Sequence, residues 1–333
     1  MVNSKRNTAI FLIMGIVLTV LCFLSLRFGS SKMTFTQFAN ALLMRSQSHT
    51  ESIIIYNIRV PRILAGITAG AGMAVSGVLL QGITDNKMAS PNLIGVNSGA
   101  GFAVILALSI FSVKNVWLPL VAFLGALGAS FVIITLSARL NVTKNSVVLI
   151  GIAFSSVLTS GISLLSLIDT DVLVNYNAFS IGSLAGVKTE NLYIPAVIVI
   201  VCFVFSVFLA GNINMLILGD GTATALGVQV KAVRIICMII ASAASAAVVS
   251  YAGLLGFVGL MAPHIARQFF GADVKKVLPG SVLCGAILVV SADFLGRVIF
   301  APSEIPVGIL MAVLGAPFFL GMVLKRGGTT ANA

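Results

Sequence analysis

Long apolar runs separated by short polar links are what most constrain this chain. The first, Ala9–Leu26 (AIFLIMGIVLTVLCFLSL), contains no charged residue. Crossing the hydrocarbon of a bilayer takes about 20 apolar residues as a helix, and only helices or closed barrels satisfy every backbone polar group there. The runs lack the period-2 alternation of barrel strands, so the fold class is all-α integral membrane. About ten transmembrane helices are expected, near 9–26, 63–83, 93–113, 116–138, 146–168, 192–211, 232–252, 254–270, 278–300 and 305–324. The eighth is the weakest, being short, broken by Pro263 and carrying His264 and Arg267.

Composition agrees. Only 9% of the residues are charged and 59% are hydrophobic, whereas a soluble domain carries roughly 25% charged residues. The formal net charge of +11 comes from cations scattered singly between apolar runs, which reads as topology-setting loop charge and not as a nucleic-acid footprint. Lys5 and Arg6 precede the first run without a small-x-small cleavage pattern after it, so an uncleaved first span is expected. Cys22, Cys202, Cys237 and Cys284 sit inside apolar runs without paired spacing and read as small hydrophobes. Two histidines, His49 and His264, are too few for a metal cluster, and no metal or cofactor is expected.

Charge sets the orientation. An even number of spans puts both termini on one side. With that side cytoplasmic, the inner segments hold Lys5, Arg6, Lys87, Arg139, Lys144, Lys231, Arg234, Arg267, Lys275, Lys276, Lys325 and Arg326. Outside the first outer loop only Lys114, Lys188 and Arg297 oppose them, the positive-inside pattern of a multi-pass membrane protein. That first loop is the exception: Arg27, Lys32, Arg45, Arg59 and Arg62 all fall there. The stretch IRVPRILAG (58–66) therefore puts two cations around a proline on the side where cations are disfavoured.

The links carry information too. MTFTQFANALLMR (33–45) repeats Phe35, Phe38, Leu42 and Leu43 at helical spacing, suggesting an interfacial helix. The outer loop 169–190 is long enough for a short helix. Between spans six and seven, LGDGTATALGVQVKAVR (218–234) is too polar to span and patterned enough for short helices. LIGV (93–96) and LLGF (254–257) echo each other, so spans 2–5 (59–168) and 7–10 (232–324) are read as an inverted repeat within one transmembrane domain covering 1–333.

No G-x-x-x-x-G-K-[ST], H-E-x-x-H or G-x-S-x-G occurs, and an embedded enzyme is not expected. One acid stands inside a span: Asp293, in SADFLGRVIF. Arg297 lies four residues on, on the same helix face, which favours a locally neutralised pair; the other reading is a coupling acid for a secondary carrier.

Several motifs run in order along the chain. They are R-x-P-R (59–62), SG-x-LLQ (76–81), N-x-x-A-x-P-x-L-x-G-V-x-S-GA (86–100), GF-V-GL-x-x-PH-x-x-R (256–267), LPG (278–280), AD-x-x-x-R (292–297) and E-x-P-V-G…GAPFF (304–319). With these the sequence resembles the FecCD-type permease subunits of bacterial ABC importers for iron-siderophores, haem and cobalamin. It departs from that pattern at Lys87-Met88, where the family usually has Pro-Leu.

The resemblance implies a ten-helix, non-enzymatic subunit paired with itself or a paralogue. Two ATP-binding-cassette ATPase subunits bind below it, and an extracytoplasmic substrate-binding lipoprotein docks above. Arg59, Arg62 and Arg297 match outward-facing arginines that meet that binding protein. Leu218, Gly219, Ala223, Ala225, Leu226 and Gly227, within the segment 218–230, match the ATPase-coupling helices, and Asn86, Met88 and Asn141 match the cytoplasmic gate. Asp293, Pro263 and His264 are assigned structural roles. The expected cargo is a ferric siderophore, with haem or cobalamin as the alternative.

Overall fold

The computed structural model describes residues 2–31, 33–43, 49–111, 115–139, 144–168 and 170–330. Among them every regular element is helical. Helix α1 (Val2–Arg27) is followed by the short α2 (Phe35–Leu42). A capping box starts α2: the Thr34 hydroxyl accepts from the Gln37 amide, and the Gln37 side chain accepts from the Thr34 amide. Of the apolar residues read as its interfacial face, only Phe38 is buried, edge-on to Phe23 of α1 at 6.0 Å, while Phe35, Leu42 and Leu43 are exposed.

Helix α3 (His49–Ile53) runs through a π-helical turn, Ile54–Arg59, into α4 (Val60–Thr84). Pro61 explains the turn. Inside a regular α-helix its ring would strike the carbonyl four residues back. A wider i→i+5 turn moves that carbonyl aside, and Val60 accordingly bonds to Ile55.

Helix α4 is the axis of the molecule. Most of its residues are buried, including a ladder of small ones, Ala65, Gly66, Ala69, Gly70, Ala74 and Gly77. Helices in lipid associate through close packing, which small residues permit. At the crossing with α13 (Val274–Val298) the backbones touch at Gly70 and Gly285: a Cβ on either would overlap the carbonyl group of the other.

The chain between these elements forms α5 (Val96–Phe111), α6 (Leu118–Arg139), α7 (Lys144–Ile168), α8 (Thr170–Ile181), α9 (Thr189–Ile217), α10 (Asp220–Ala225), α11 (Val230–Ala252) and α12 (Val258–Phe270). Helix α14 (Val307–Thr330) closes the fold. The core lies where α4 packs against α11 on one side and α13 on the other, lined by residues such as Leu79, Ala241, Ala244 and Val249. Cys202, Cys237 and Cys284 are buried in it as free thiols.

Among the described residues, seven stretches are long and apolar enough to cross a membrane: 5–27, 50–84, 118–139, 148–168, 189–217, 230–252 and 274–298. Each matches one of the expected spans. The third and tenth expected spans correspond to the shorter apolar stretches 96–110 in α5 and 307–322 in α14, and the eighth to the 13-residue α12.

The eighth differs for a clear reason. Gly253 and Phe257 adopt left-handed backbone, so residues 254–257 are not helical and α12 has 13 residues, about 20 Å at 1.5 Å per residue. Backbone this irregular persists in a membrane protein only where its polar groups are satisfied within the protein. Here Leu254 donates to the Phe179 carbonyl at 3.3 Å, Ser183 to that of Ala252 at 2.8 Å, and Gly308 to that of Gly182 at 3.0 Å. The break thereby ties the end of α8 to the end of α11 and the start of α14.

Candidate functional site

Two polar clusters and one short helix stand out against this apolar frame. At the end of the molecule where α1 and α13 finish, three arginines converge. Arg62 donates from Nε to both Asp293 oxygens, at 2.9 and 3.1 Å, and from Nη1 to Glu304 at 2.6 Å. Arg297 Nε lies 3.0 Å from Asp293 Oδ2 as an ion pair without hydrogen-bond alignment, and its Nη atoms reach Ser25 on α1. Arg59 has no acid. Its Nη1 donates to the carbonyls of Leu26 and Arg27 at 2.5 and 3.0 Å, and its Nη2 to Ser31. The last carbonyls of a helix lack intrahelical donors and form the negative end of its dipole, so Arg59 caps α1.

These three side chains were expected to face outward; the structure turns them inward. Arg59, Arg62 and Arg297 are 3%, 5% and 3% exposed. The arrangement answers the sequence's breach of the positive-inside pattern, because each guanidinium is compensated by an acid or a helix end inside the chain. Asp293 is the shared counter-ion of two arginines, which the i,i+4 spacing to Arg297 revealed only in part; Arg62 is 231 residues away in sequence.

Glu304, quoted above only as a motif letter, completes the cluster by accepting from Arg62 and from Ser30 at 2.7 Å. Burial pushes its carboxyl up, but the hydrogen bonds from Arg62 and Ser30 and the charges of Arg62 and Arg297 outweigh that and hold it below its usual 4.5. A depressed folded-state value contributes stability above the unfolded value and loses it as pH falls through the folded one. We therefore expect hydrogen exchange in residues 301–306 to accelerate between pH 7 and pH 3 beyond the intrinsic pH effect, and Glu304→Gln to abolish that excess.

At the opposite end, Pro263 shapes a second buried cluster. Lacking an amide proton, it leaves the carbonyl of Gly259 without its helical donor. The Gln81 amide of α4 approaches that carbonyl at 3.4 Å, and Arg267 of α12 donates to the Gln81 oxygen. The motifs ending in Gln81 and in Arg267 thus form one α4–α12 contact. His264 lies beside it, with its ring edge-on to Phe318 of α14 at 5.5 Å. Both residues end motifs quoted in the sequence, but no role was assigned to either there; a lone amide ending an apolar run was the available signal for Gln81.

The segment 218–230 folds into α10 between two glycines of positive φ, Gly219 at 107° and Gly227 at 84°. A side chain at either position would be strained. Ala223 is fully buried, and Asp220 pairs with Arg234 of α11 at 2.6 Å, which anchors the short helix. Leu218 and Leu226 are 65% and 57% exposed, and Ala225 is exposed. Nearby, the link after α4 turns through left-handed Asp85, and the Asn86 side chain accepts from the Met88 amide at 2.9 Å. Asn141 lies outside the described residues.

Helix α7 adds a further feature. It is largely exposed, yet carries Ser155, Ser156, Thr159, Ser160, Ser163 and Ser166 along its length. The hydroxyls of Ser156, Thr159, Ser160, Ser163 and Ser166 bond back to carbonyls one turn earlier. A row of hydroxyls satisfied in this way gives a mildly polar surface at no cost in buried unpaired groups.

The molecule is thus a helical bundle with a broken helix, buried charge at one end and a short polar helix near the other. The chain belongs to the FecCD transport family, whose profile matches residues 17–325. It is 37% identical over 84% of its length to a siderophore transport permease of Bacillus subtilis, covering 83% of that protein. It is 33% identical over 95% of its length to the hemin transport permease of Yersinia pestis, covering 96% of that one. A solved structure described as an inward-facing metal-chelate type ABC transporter superposes with a TM-score of 0.86 at 30% identity, over 96% of this chain and 99% of the other. A cobalamin import permease is also among the relatives. The protein is a multi-pass membrane permease subunit of an ABC importer of the iron-chelate, haem or cobalamin class. Membership implies ATPase subunits, a substrate-binding protein and a second permease as partners.

Proposed function

We propose that this subunit carries a ferric siderophore inward by alternating access, driven by two partner ATPases and fed by an extracytoplasmic binding lipoprotein. The observation that carries the coupling half of this reading is α10: an anchored short helix that exposes Leu218 and Leu226 at its two ends. Large apolar residues flanking a polar, membrane-excluded segment suit a groove on another protein better than water. The orientation follows from the charge count, with ten spans and both termini cytoplasmic. In that orientation α10 and the Asn86–Met88 link face the ATPases, and Asn86, Met88 and Asn141 belong to the inner gate.

The arginine cluster then lies at the outer face. Because their heads are engaged within the chain, Arg59, Arg62 and Arg297 would act in docking by fixing the rim made by Ser30, Ser31 and Glu304. The inverted repeat of 59–168 and 232–324 is supported by recurring neighbours: α4 packs on α13 as α11 does on α6, and α5 on α6 as α12 does on α13. The hydroxyl row on α7 suits the wall of the path between two permease subunits. Siderophore as cargo is favoured by the relatives, which include siderophore and Fe(3+)-citrate permeases; haem or cobalamin is the alternative. A carrier using Asp293 is disfavoured by the two guanidinium groups that hold its carboxylate.

Deletion should abolish growth on a ferric siderophore as sole iron source, and Asp293→Asn, wherever it reaches the membrane, should restore uptake. Loss of uptake by correctly inserted Asp293→Asn, with uptake persisting after deletion of the partner ATPase, would sink this reading in favour of the carrier. Ala225→Asp should leave the permease inserted and lower substrate-stimulated ATP hydrolysis of the reconstituted complex by about tenfold, the effect of roughly 1.4 kcal/mol at an interface. Unchanged stimulation would count against α10 as the coupling element.

A further inference from the structure

A groove of about 370 Å3 opens between the start of α6, the start of α9 and the end of α11, at the end of the bundle opposite α10. Its volume is within the range of small-molecule sites. Leu120, Phe123, Ile194 and Ile198 form its walls and Ala247 its floor. Ser250, the hydroxyl at the floor, already donates to the Ala247 carbonyl at 2.8 Å, so the interior offers no unpaired polar group.

The charge is confined to the rim, where the Glu190 carboxylate stands with the Asn191 amide and the Trp117 indole N–H. Glu190 stands exposed in the first turn of α9 and makes no ion pair or hydrogen bond with a described residue. Beside it Asn191 lines the same groove. Pro195, four residues on, has no amide proton, so the Asn191 carbonyl lacks its helical donor. Trp117, the chain's single tryptophan and 55% exposed, closes the other side, in the position that tryptophan favours at a membrane–water interface.

We infer that this groove is a binding site for phosphatidylethanolamine, one acyl chain lying along Phe123 and Ile198 and the headgroup ammonium held by Glu190 and the Asn191 carbonyl. The charge pattern makes the choice. A carboxylate and a freed carbonyl accept hydrogen bonds and attract a cation. A choline headgroup is cationic but has no N–H to donate, and a phosphatidylglycerol headgroup is anionic and faces Glu190 with like charge. A primary ammonium, with three donors, satisfies both acceptors. The site is independent of the cargo proposed above.

Trp117 supplies the readout. The full-length chain, placed in phosphatidylglycerol nanodiscs, would receive a minor fraction of dibrominated-chain phosphatidylethanolamine, phosphatidylcholine or phosphatidylglycerol, and tryptophan emission would be followed. Brominated phosphatidylethanolamine should quench at about threefold lower mole fraction than either other lipid, the scale of one exposed ion pair. Glu190→Gln should bring the three lipids level while quenching itself remains, and Glu190→Asp should keep the preference. Equal quenching by all three lipids in the unaltered chain, a preference for phosphatidylglycerol, or no quenching by any of them, as when a protein partner covers the groove, would each overturn the assignment.

Discussion

Asp293→Ala should destabilise the folded permease by about 3–5 kcal/mol, the usual cost of removing one partner from a buried ion pair. It leaves Arg62 and Arg297, at 5% and 3% exposure, without the carboxylate they share. Exchanging all three side chains for apolar ones should recover much of the loss, since a buried ionic group replaced as a unit by packed hydrophobes is often neutral. Thermal unfolding of the purified protein in nanodiscs checks both: a sharp fall in melting temperature for Asp293→Ala and a partial return for Arg62→Met/Asp293→Ala/Arg297→Met. An unchanged melting temperature for the single variant would mean that the cluster does not hold α1, α4 and α13 together.

Gly70→Ala is the second large effect. Helical propensity alone favours alanine over glycine by about 1 kcal/mol, so an isolated helix would gain. Here the new methyl meets the Gly285 backbone, which cannot rotate aside as a side chain can. Overpacking against side chains costs about 1–3 kcal/mol, and separating two main chains should cost at least the upper figure. Gly128 on α6 provides the control, because a Cβ there meets nothing within 4 Å. Gly128→Ala should be neutral or slightly stabilising in the same melting experiment, and equal behaviour of the two variants would contradict the α4–α13 crossing.

Both variants probe things that the sequence discloses unevenly. Apolar run length located the helices well, because desolvating the backbone leaves a chain in lipid few options. It failed at the eighth run, where hydropathy continues through residues 254–257 while the backbone leaves the helix at Gly253. Hydropathy reports what a segment dissolves in and is blind to a break whose hydrogen bonds go to Phe179 and Ser183, far away in sequence.

The polar clusters were half legible for a related reason. Asp293 with Arg297 is a helix-surface pair visible from its i,i+4 spacing. The contacts of Arg62 with Asp293, of Arg59 with the end of α1 and of Arg267 with Gln81 join residues brought together only by packing. The excess of arginine in the first outer loop signalled that something unusual is held there, but charge counting could not tell a buried network from a docking surface. Around α10, Gly219 and Gly227 take positive φ while Gly221 between them is helical, so glycine content alone did not mark the ends of the short helix.

The central claim is that ATP hydrolysis by partner subunits, acting through α10, moves a chelated metal through this permease. Uptake of an iron-55-labelled siderophore into proteoliposomes containing the complete complex tests it most directly, with ATP inside and the loaded binding protein outside. The account predicts uptake that requires hydrolysable ATP, persists when proton and sodium gradients are collapsed, and drops with Ala225→Asp. Uptake driven by an ion gradient in the absence of ATP would contradict it.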